Sequence, residues 1–138
     1  MFASPIASYQ QISLESSVRG ADPHHLIVLL FEGADAALVR AQAQLKDKDI
    51  EGKSESLSRA IAIILEGLSA SLNLEAGGDL AQNLAALYDY MTRRLIHANI
   101  HNDAAAISEV QGLLREIGGA WREMGLQLKQ GSTGDSNF

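Results

Sequence analysis

The feature that most constrains this chain is a glycine pair between two long amphipathic segments. Gly77 and Gly78 interrupt a pattern in which apolar residues recur every three or four positions, and the pattern resumes at Leu80. Such spacing places apolar side chains on one face of an α-helix. Glycine ends a helix without a Cβ penalty, and Asp79 can cap the helix that follows. Residues 72–99 are therefore predicted to contain a helix-turn-helix hairpin.

The same periodicity occurs on both sides of this hairpin. The first helix is predicted to begin at Asp22 and Pro23 and to end near Lys46, and Asp49 is predicted to cap the second. The third helix should close near Asn99, with a cap for the fourth at position 102 or 103. The expected core positions are Ile27, Leu30, Ala34, Ala37, Leu38, Ala41 and Leu45; Leu57, Ile61, Ile64, Leu65, Leu68 and Leu72; Leu80, Leu84, Leu87, Tyr88, Met91 and Leu95; and Ile107, Val110, Leu114, Ile117, Trp121, Met124 and Leu128.

Four such segments joined by short polar turns predict an all-α fold, an antiparallel up-down four-helix bundle over residues 22–130. Residues 1–21 lack a sustained period and are expected to form a mobile N-terminal arm, in which Tyr9 and Ile12 are the bulky apolar anchors. Residues 131–138, rich in Ser and Gly, are expected to be a disordered tail.

Composition excludes several classes of protein. The 138 residues suit one domain, and the absence of cysteine excludes thiol nucleophiles, thiolate zinc sites and disulfides. A net charge of −6 argues against nucleic acid as a partner. The longest apolar runs are far shorter than the roughly 18 to 20 residues of a membrane span, and no secretory signal is visible. We therefore expect a cytoplasmic protein without membrane insertion.

Catalytic and metal-binding patterns are weak. His97 and His101 have the i, i+4 spacing of two metal ligands, but a third ligand is missing from the obvious places and His101 is expected at a fraying helix end. The paired Glu-x-x-His motifs of di-iron bundles do not occur. We expect no enzyme activity, no metal and no cofactor.

A histidine phosphotransfer domain is the alternative function, because it is also a four-helix bundle with an exposed histidine. His24 and His25 are the candidate residues, but they open the first helix rather than lie within it. No lysine follows within two turns, and such modules use a nearby lysine beside the phosphoryl group. An enzyme built into a bundle would need a cluster of polar core residues, which the sequence does not contain.

Two helices carry a second ladder beside their core stripe, which predicts a binding groove between them. A surface helix usually has one apolar stripe, and small residues let another backbone approach closely. The groove positions are Ile63, Gly67, Ala70 and Leu74 on the second helix and Asn83, Leu87, Tyr90 and Arg94 on the third. The alternative is that both helices bury these residues inside the bundle.

An ordered set of motifs resembles the flagellar secretion chaperone FliS family over residues 9–121. The matching positions are Tyr9, residues 21–34 (ADPHHLIVLLFEGA), 61–65 (IAIIL), 71–73 (SLN), 77–84 (GGDLAQNL), 87–95 (LYDYMTRRL), 98–99 (AN), 109–110 (EV) and Trp121. The family usually has Tyr-Asp-Gly-Ala where this chain has Phe31, Glu32, Gly33 and Ala34, so one hydroxyl is missing.

The resemblance implies a cytosolic export chaperone that binds the C-terminal segment of flagellin. It implies one chaperone per flagellin, prevention of premature polymerisation and delivery to the export gate of the flagellar type III secretion apparatus. It further implies that the N-terminal arm, to which Tyr9 belongs, can lie in part of the binding surface when flagellin is absent. No cofactor is implied.

Overall fold

Four helices follow one another in the computed structural model, which describes the backbone of residues 22–135 and the side chains of residues 22–126. They are α1 (Pro23–Lys46), α2 (Ile50–Ala62), α3 (Gly78–His101) and α4 (Ala104–Asp135), and α2 continues directly into a π-helical segment, Ile63–Ser69. No strand occurs between residues 22 and 135, so the predicted all-α bundle is confirmed. The predicted arm, with Tyr9 and Ile12, lies outside the described residues. The end of α4 overlaps the predicted tail.

Aspartates begin three of the helices, as predicted. Each carboxylate accepts from a backbone amide two or three residues ahead, which satisfies a donor that the first helical turn leaves unpaired. The bonds are His25 N to Asp22 at 3.1 Å, Gly52 N to Asp49 at 3.0 Å, and Ala105 N and Ala106 N to Asp103 at 3.1 and 3.2 Å.

The hairpin between α2 and α3 differs from the prediction in its details. The π-helical segment ends at Ser69, well before the glycines, and the turn is organised by Asn73, whose side chain accepts from the amide three residues ahead at 3.0 Å. Gly77 is the N-cap residue of α3, without a side-chain cap, and Gly78 has φ +58°. The predicted cap by Asp79 is wrong, because Asp79 already lies inside the first turn.

The core lies along the bundle axis and contains residues from all four helices. Alanines on α1 leave room for the large side chains opposite, and the rings of Phe31 and Tyr88 meet across the core with centroids 6.4 Å apart. Its large members are Leu30, Phe31, Leu38, Leu57, Ile63, Ile64, Leu68, Tyr88, Met91, Leu95, Ile107, Val110 and Leu114. α1 packs most extensively, against α2 and α4, while α3 closes the bundle against the π-helical segment and α4.

Three expected core residues are instead exposed: Leu65, Leu80 and Met124. All three lie at the end of the bundle that holds the α2–α3 hairpin, where α3 begins. Helical periodicity directs these side chains inward or towards a neighbouring helix, but no helix among the described residues covers them. Leu128, also expected in the core, lies outside the residues whose side chains the structure describes.

One charged residue is buried at the opposite end. Lys53, on α2, is 1% exposed, and its ammonium donates to oxygens at the C-terminal end of α3. None of the helices between residues 22 and 135 has the length and hydropathy of a membrane span.

Candidate functional site

A polar cluster of Tyr90, Arg94 and Glu109 joins α3 to α4 and shows which faces of the two helices meet. The Tyr90 hydroxyl donates to one carboxylate oxygen of Glu109, and Arg94 Nε donates to the other at 2.8 Å. Tyr90 and Arg94 are one turn apart on α3, so their shared partner shows that this face of α3 points to α4.

The cluster also explains the electrostatics of its members. The hydrogen bonds from Tyr90 and Arg94 lower the pKa of Glu109, because both favour the carboxylate. The same bonds raise the pKa of Tyr90 and the pKa of Arg94, since each loses its partner on deprotonation. All three side chains remain partly exposed, so the cluster is a surface feature.

An apolar surface continues from this cluster along the seam of the two helices. Leu87 and Leu113 lie about one turn beyond the cluster on α3 and α4, and both are only partly buried against the core. Residues further along the same faces extend this surface to the hairpin end, where Leu80 is 64% exposed and Met124 43% exposed. We call this the seam surface; it consists of Leu80, Leu84, Leu87, Leu113, Ile117 and Met124.

The contact between α4 and α1 is more polar than the contact between α4 and α3. It is held by ion pairs between Asp35 and Arg115 at 3.0 Å and between Glu32 and Arg122 at 2.8 Å. A groove of about 210 Å³ lies between these pairs, lined by Phe31, Leu114 and two glycines of α4 as well as the charged side chains. Because its Arg and acidic groups are paired with one another, this groove has no charge excess for a ligand.

The predicted groove residues do not form one surface. Ile63 and Gly67 are buried in the bundle, and Ile63 approaches α1 at Gly33. Ala70 and Leu74 are exposed in the hairpin, Asn83 is exposed on α3, and Leu87, Tyr90 and Arg94 face α4. The structure therefore does not bring the two ladders together.

Sequence reasoning missed the role of α4. Periodicity does not single out Leu113, assigns the exposed Met124 to the core, and gives Glu109 no role beyond a motif. Ile117, also predicted for the core, does pack against the core cluster. The sequence signal for Glu109 is chemical complementarity to Tyr90 and Arg94, but periodicity alone cannot pair residues 15 to 19 positions apart on separate helices.

Of the histidines considered for metal binding or phosphotransfer, His24, His97 and His101 have local partners, and the His25 side chain is exposed at the start of α1. His24 lies against Trp121, with ring centroids 5.0 Å apart, and its Nε2 is hydrogen-bonded to the Trp121 carbonyl oxygen. His97 Nε2 lies 3.2 Å from Asp103 Oδ2, and its ring is 4.5 Å from that of His101. Within residues 22–126, no three His, Asp or Glu side chains converge as a metal site would require.

Comparison with known proteins gives consistent matches over most of the chain. The family model described as flagellar protein FliS matches residues 5–128. The chain is 54% identical over 122 residues to the flagellar secretion chaperone FliS of Salmonella typhimurium, covering 88% of this chain and 90% of that protein. It is 48% identical over 116 residues to FliS of Escherichia coli (84% and 85% covered) and 36% identical over 119 residues to FliS of Bacillus subtilis (86% and 84% covered).

Proposed function

Because this chain belongs to the FliS family of flagellar secretion chaperones, we propose that it binds the C-terminal segment of flagellin in the cytosol, prevents premature polymerisation and delivers flagellin to the flagellar type III export apparatus. The family is one of chaperones and not a class of enzymes. No cofactor enters this proposal.

The seam surface is the observation that carries the proposal. It presents leucines from α3 and leucine, isoleucine and methionine from α4, and its members become more exposed towards the hairpin end. Exposed apolar residues on one continuous surface are typical of a protein interaction site. Methionine adds a flexible side chain that adapts to different apolar partners.

An amphipathic segment that becomes helical on binding fits this surface. Its apolar residues would pack on Leu80, Leu87 and Met124, and its backbone would satisfy its own hydrogen bonds as a helix. Ordering such a segment costs free energy, which keeps the complex weaker than its buried area suggests and allows release at the export gate. Of the residues predicted for the groove, Leu87 belongs to the seam surface, while Leu74 and Asn83 are exposed in or near the α2–α3 hairpin.

Residues 1–21 are proposed to occupy part of the same surface when flagellin is absent. α1 begins beside α4, since His24 contacts Trp121 and lies close to Gly125. Tyr9 and Ile12 lie 13 and 10 residues before Asp22. In an extended chain they can therefore lie up to roughly 45 and 35 Å from the start of α1, which brings the hairpin end of the seam surface within their reach. A tethered segment competes at high effective concentration even if it binds weakly.

Calorimetric titration with flagellin from the same organism tests the proposal. We expect a stoichiometry near one to one and a negative heat-capacity change, which reports burial of apolar surface. The matched control is flagellin lacking its last helix, which should not bind. Equal affinity for the intact and truncated flagellin would disprove the proposed recognition of the C-terminal segment.

A further inference from the structure

We propose that Tyr90, Arg94 and Glu109 form a latch that limits how far α3 separates from α4, and that the first half of α3 swings outward to admit a partner helix to the seam surface. The identity of that partner rests on the function proposed above. The opening itself is a property of this chain and can be tested without a partner.

The polar links of α4 are distributed unequally between its two neighbours. The links to α1 are spread along much of α4. They are the hydrogen bond from Gln42 to Ser108 Oγ at 2.9 Å, the Asp35–Arg115 ion pair and the Glu32–Arg122 ion pair. Towards α3, the links among the described side chains are the latch and the His97–Asp103 contact, both near the α3–α4 connection. α4 is thus fixed to α1 and joined to α3 mainly at one end.

The first half of α3 is held to α4 by apolar packing. Between residue 78 and the latch, the described side chains show no hydrogen bond or ion pair across this seam, and Leu84 and Leu87 are partly buried apolar side chains packed against the core. The N-cap of α3 is Gly77, which supplies no side-chain bond, and the positive φ of Gly78 favours glycine there, so neither residue has a side chain that could tie the moving end of α3 to α4. Few directional contacts therefore oppose an outward movement of residues 78–87.

The chemistry of the latch suits a reversible contact. A single carboxylate uses both oxygens, one for Tyr90 and one for Arg94, so losing Glu109 releases two α3 side chains together. The Arg94 and Glu109 side chains are 31% and 39% exposed, so water replaces their bonds when they part. A buried ion pair would resist this opening much more strongly.

The latch also divides the seam into a part that opens and a part that does not. On the connection side of Glu109, His97 and Asp103 hold α3 to the start of α4, and Asn102 adopts a left-handed conformation that fixes the corner. On the hairpin side, the side chains that make up the seam surface are apolar and form no polar link between α3 and α4. A partner helix entering from the hairpin end would therefore stop at the latch.

Hydrogen exchange on the full-length protein without a partner tests the latch, using Glu109→Gln and Glu32→Gln. Both substitutions remove one carboxylate charge that pairs with an arginine on the surface, but only Glu109 joins α3 to α4. We expect severalfold faster exchange at the amides of residues 80–88 in Glu109→Gln and unchanged exchange there in Glu32→Gln. Tyr90→Phe, which removes one bond of the latch, should give an intermediate effect.

The partner enters only in a second measurement, stopped-flow association with the flagellin C-terminal segment. Glu109→Gln should associate severalfold faster than the wild type, because the seam is open for a larger fraction of the time. Equal exchange in the two Gln variants would overturn the latch. If the wild-type protein does not bind the segment at all, the proposed function fails, while the exchange result still decides whether the seam opens.

Discussion

The ammonium of Lys53 on α2 lies 2.9 Å from the carbonyl oxygen of Asn99 on α3, and 2.6 Å from the side-chain oxygen of Asn102. A lysine that is 1% exposed is unusual, and here its partners are neutral oxygens at a helix C-terminus. The C-terminal end of a helix carries a partial negative charge, which favours a cation at this position. Lys53 thus connects the start of α2 to the end of α3.

Replacing Lys53 should destabilise the bundle. Lys53→Met retains most of the apolar stem but leaves the Asn99 and Asn102 oxygens without their donor, so we expect a loss of about 1–3 kcal/mol in the free energy of unfolding. Urea denaturation monitored by circular dichroism measures it. The control is Lys46→Met, at an exposed position, which should change stability by less than about 0.5 kcal/mol. Equal stability of both variants would show that the buried bonds contribute nothing.

Charge on the seam surface should abolish binding without unfolding the protein. Leu80 is 64% exposed, so Leu80→Glu should leave the circular dichroism spectrum and melting temperature unchanged, while flagellin would have to desolvate the new carboxylate. Ile100→Glu is the matched control, since Ile100 is 69% exposed on the same helix beyond the latch. We expect binding to be lost in the first variant and kept in the second, as measured by titration calorimetry. The same loss in both variants would contradict the location of the site.

Two adjacent glycines on α4 should respond differently to alanine. A Cβ at Gly119 meets nothing within 4 Å, so Gly119→Ala should stabilise the helix by about 0.5–1 kcal/mol. A Cβ at Gly118 would lie 3.1 Å from the Cβ of Phe31, which is buried and cannot retreat easily, so Gly118→Ala should gain less or lose stability. Thermal denaturation of the two variants compares them, and equal melting temperatures would show that the Phe31 contact yields freely.

Alkaline pH should destabilise the protein through Tyr88. Burial raises the pKa of Tyr88 to about 12 from its usual value of 10.0, so the fold favours the neutral phenol. The stabilisation is complete below pH 10 and is lost as the pH rises from 10 to about 12, because the unfolded chain ionises first. Denaturation midpoints across this range should fall more steeply for the wild type than for Tyr88→Phe. Parallel pH profiles would mean that Tyr88 ionises as readily in the folded state.

Local sequence chemistry predicted the helices because each signal acts within a few residues. Asp22, Asp49 and Asp103 cap the helices they precede, and their role follows from the amides directly after them. Gly77 shows the limit of such reasoning. A glycine suits the end of one helix and the start of the next equally well, and only the turn made by Asn73 decides between them.

Features that depend on neighbouring helices were beyond the sequence. Periodicity gives the direction in which Leu80 points but not whether another helix covers it, and no helix in the described part of the chain covers Leu80 at the hairpin end. The sequence predicts Tyr90 and Arg94 as groove positions but not their partner, which is Glu109 on α4. Lys53 was not singled out, since lysine is ordinarily exposed and its burial depends on the end of a helix 46 residues away.

The π-helical segment at Ile63–Ser69 has a consequence for chain length. Its bonds, such as Ala70 N to Leu65 O at 3.2 Å, enclose one residue more than an α-helical bond does. Deleting a single exposed residue such as Glu66 would let the widened turn tighten into a regular α-helical turn. The helix before the deletion would keep its orientation in the core, and the hairpin after it would stay close to its present position. A one-residue deletion is therefore best tolerated in this segment. A one-residue deletion in the middle of α1 would instead rotate the apolar face of half of that helix out of the core.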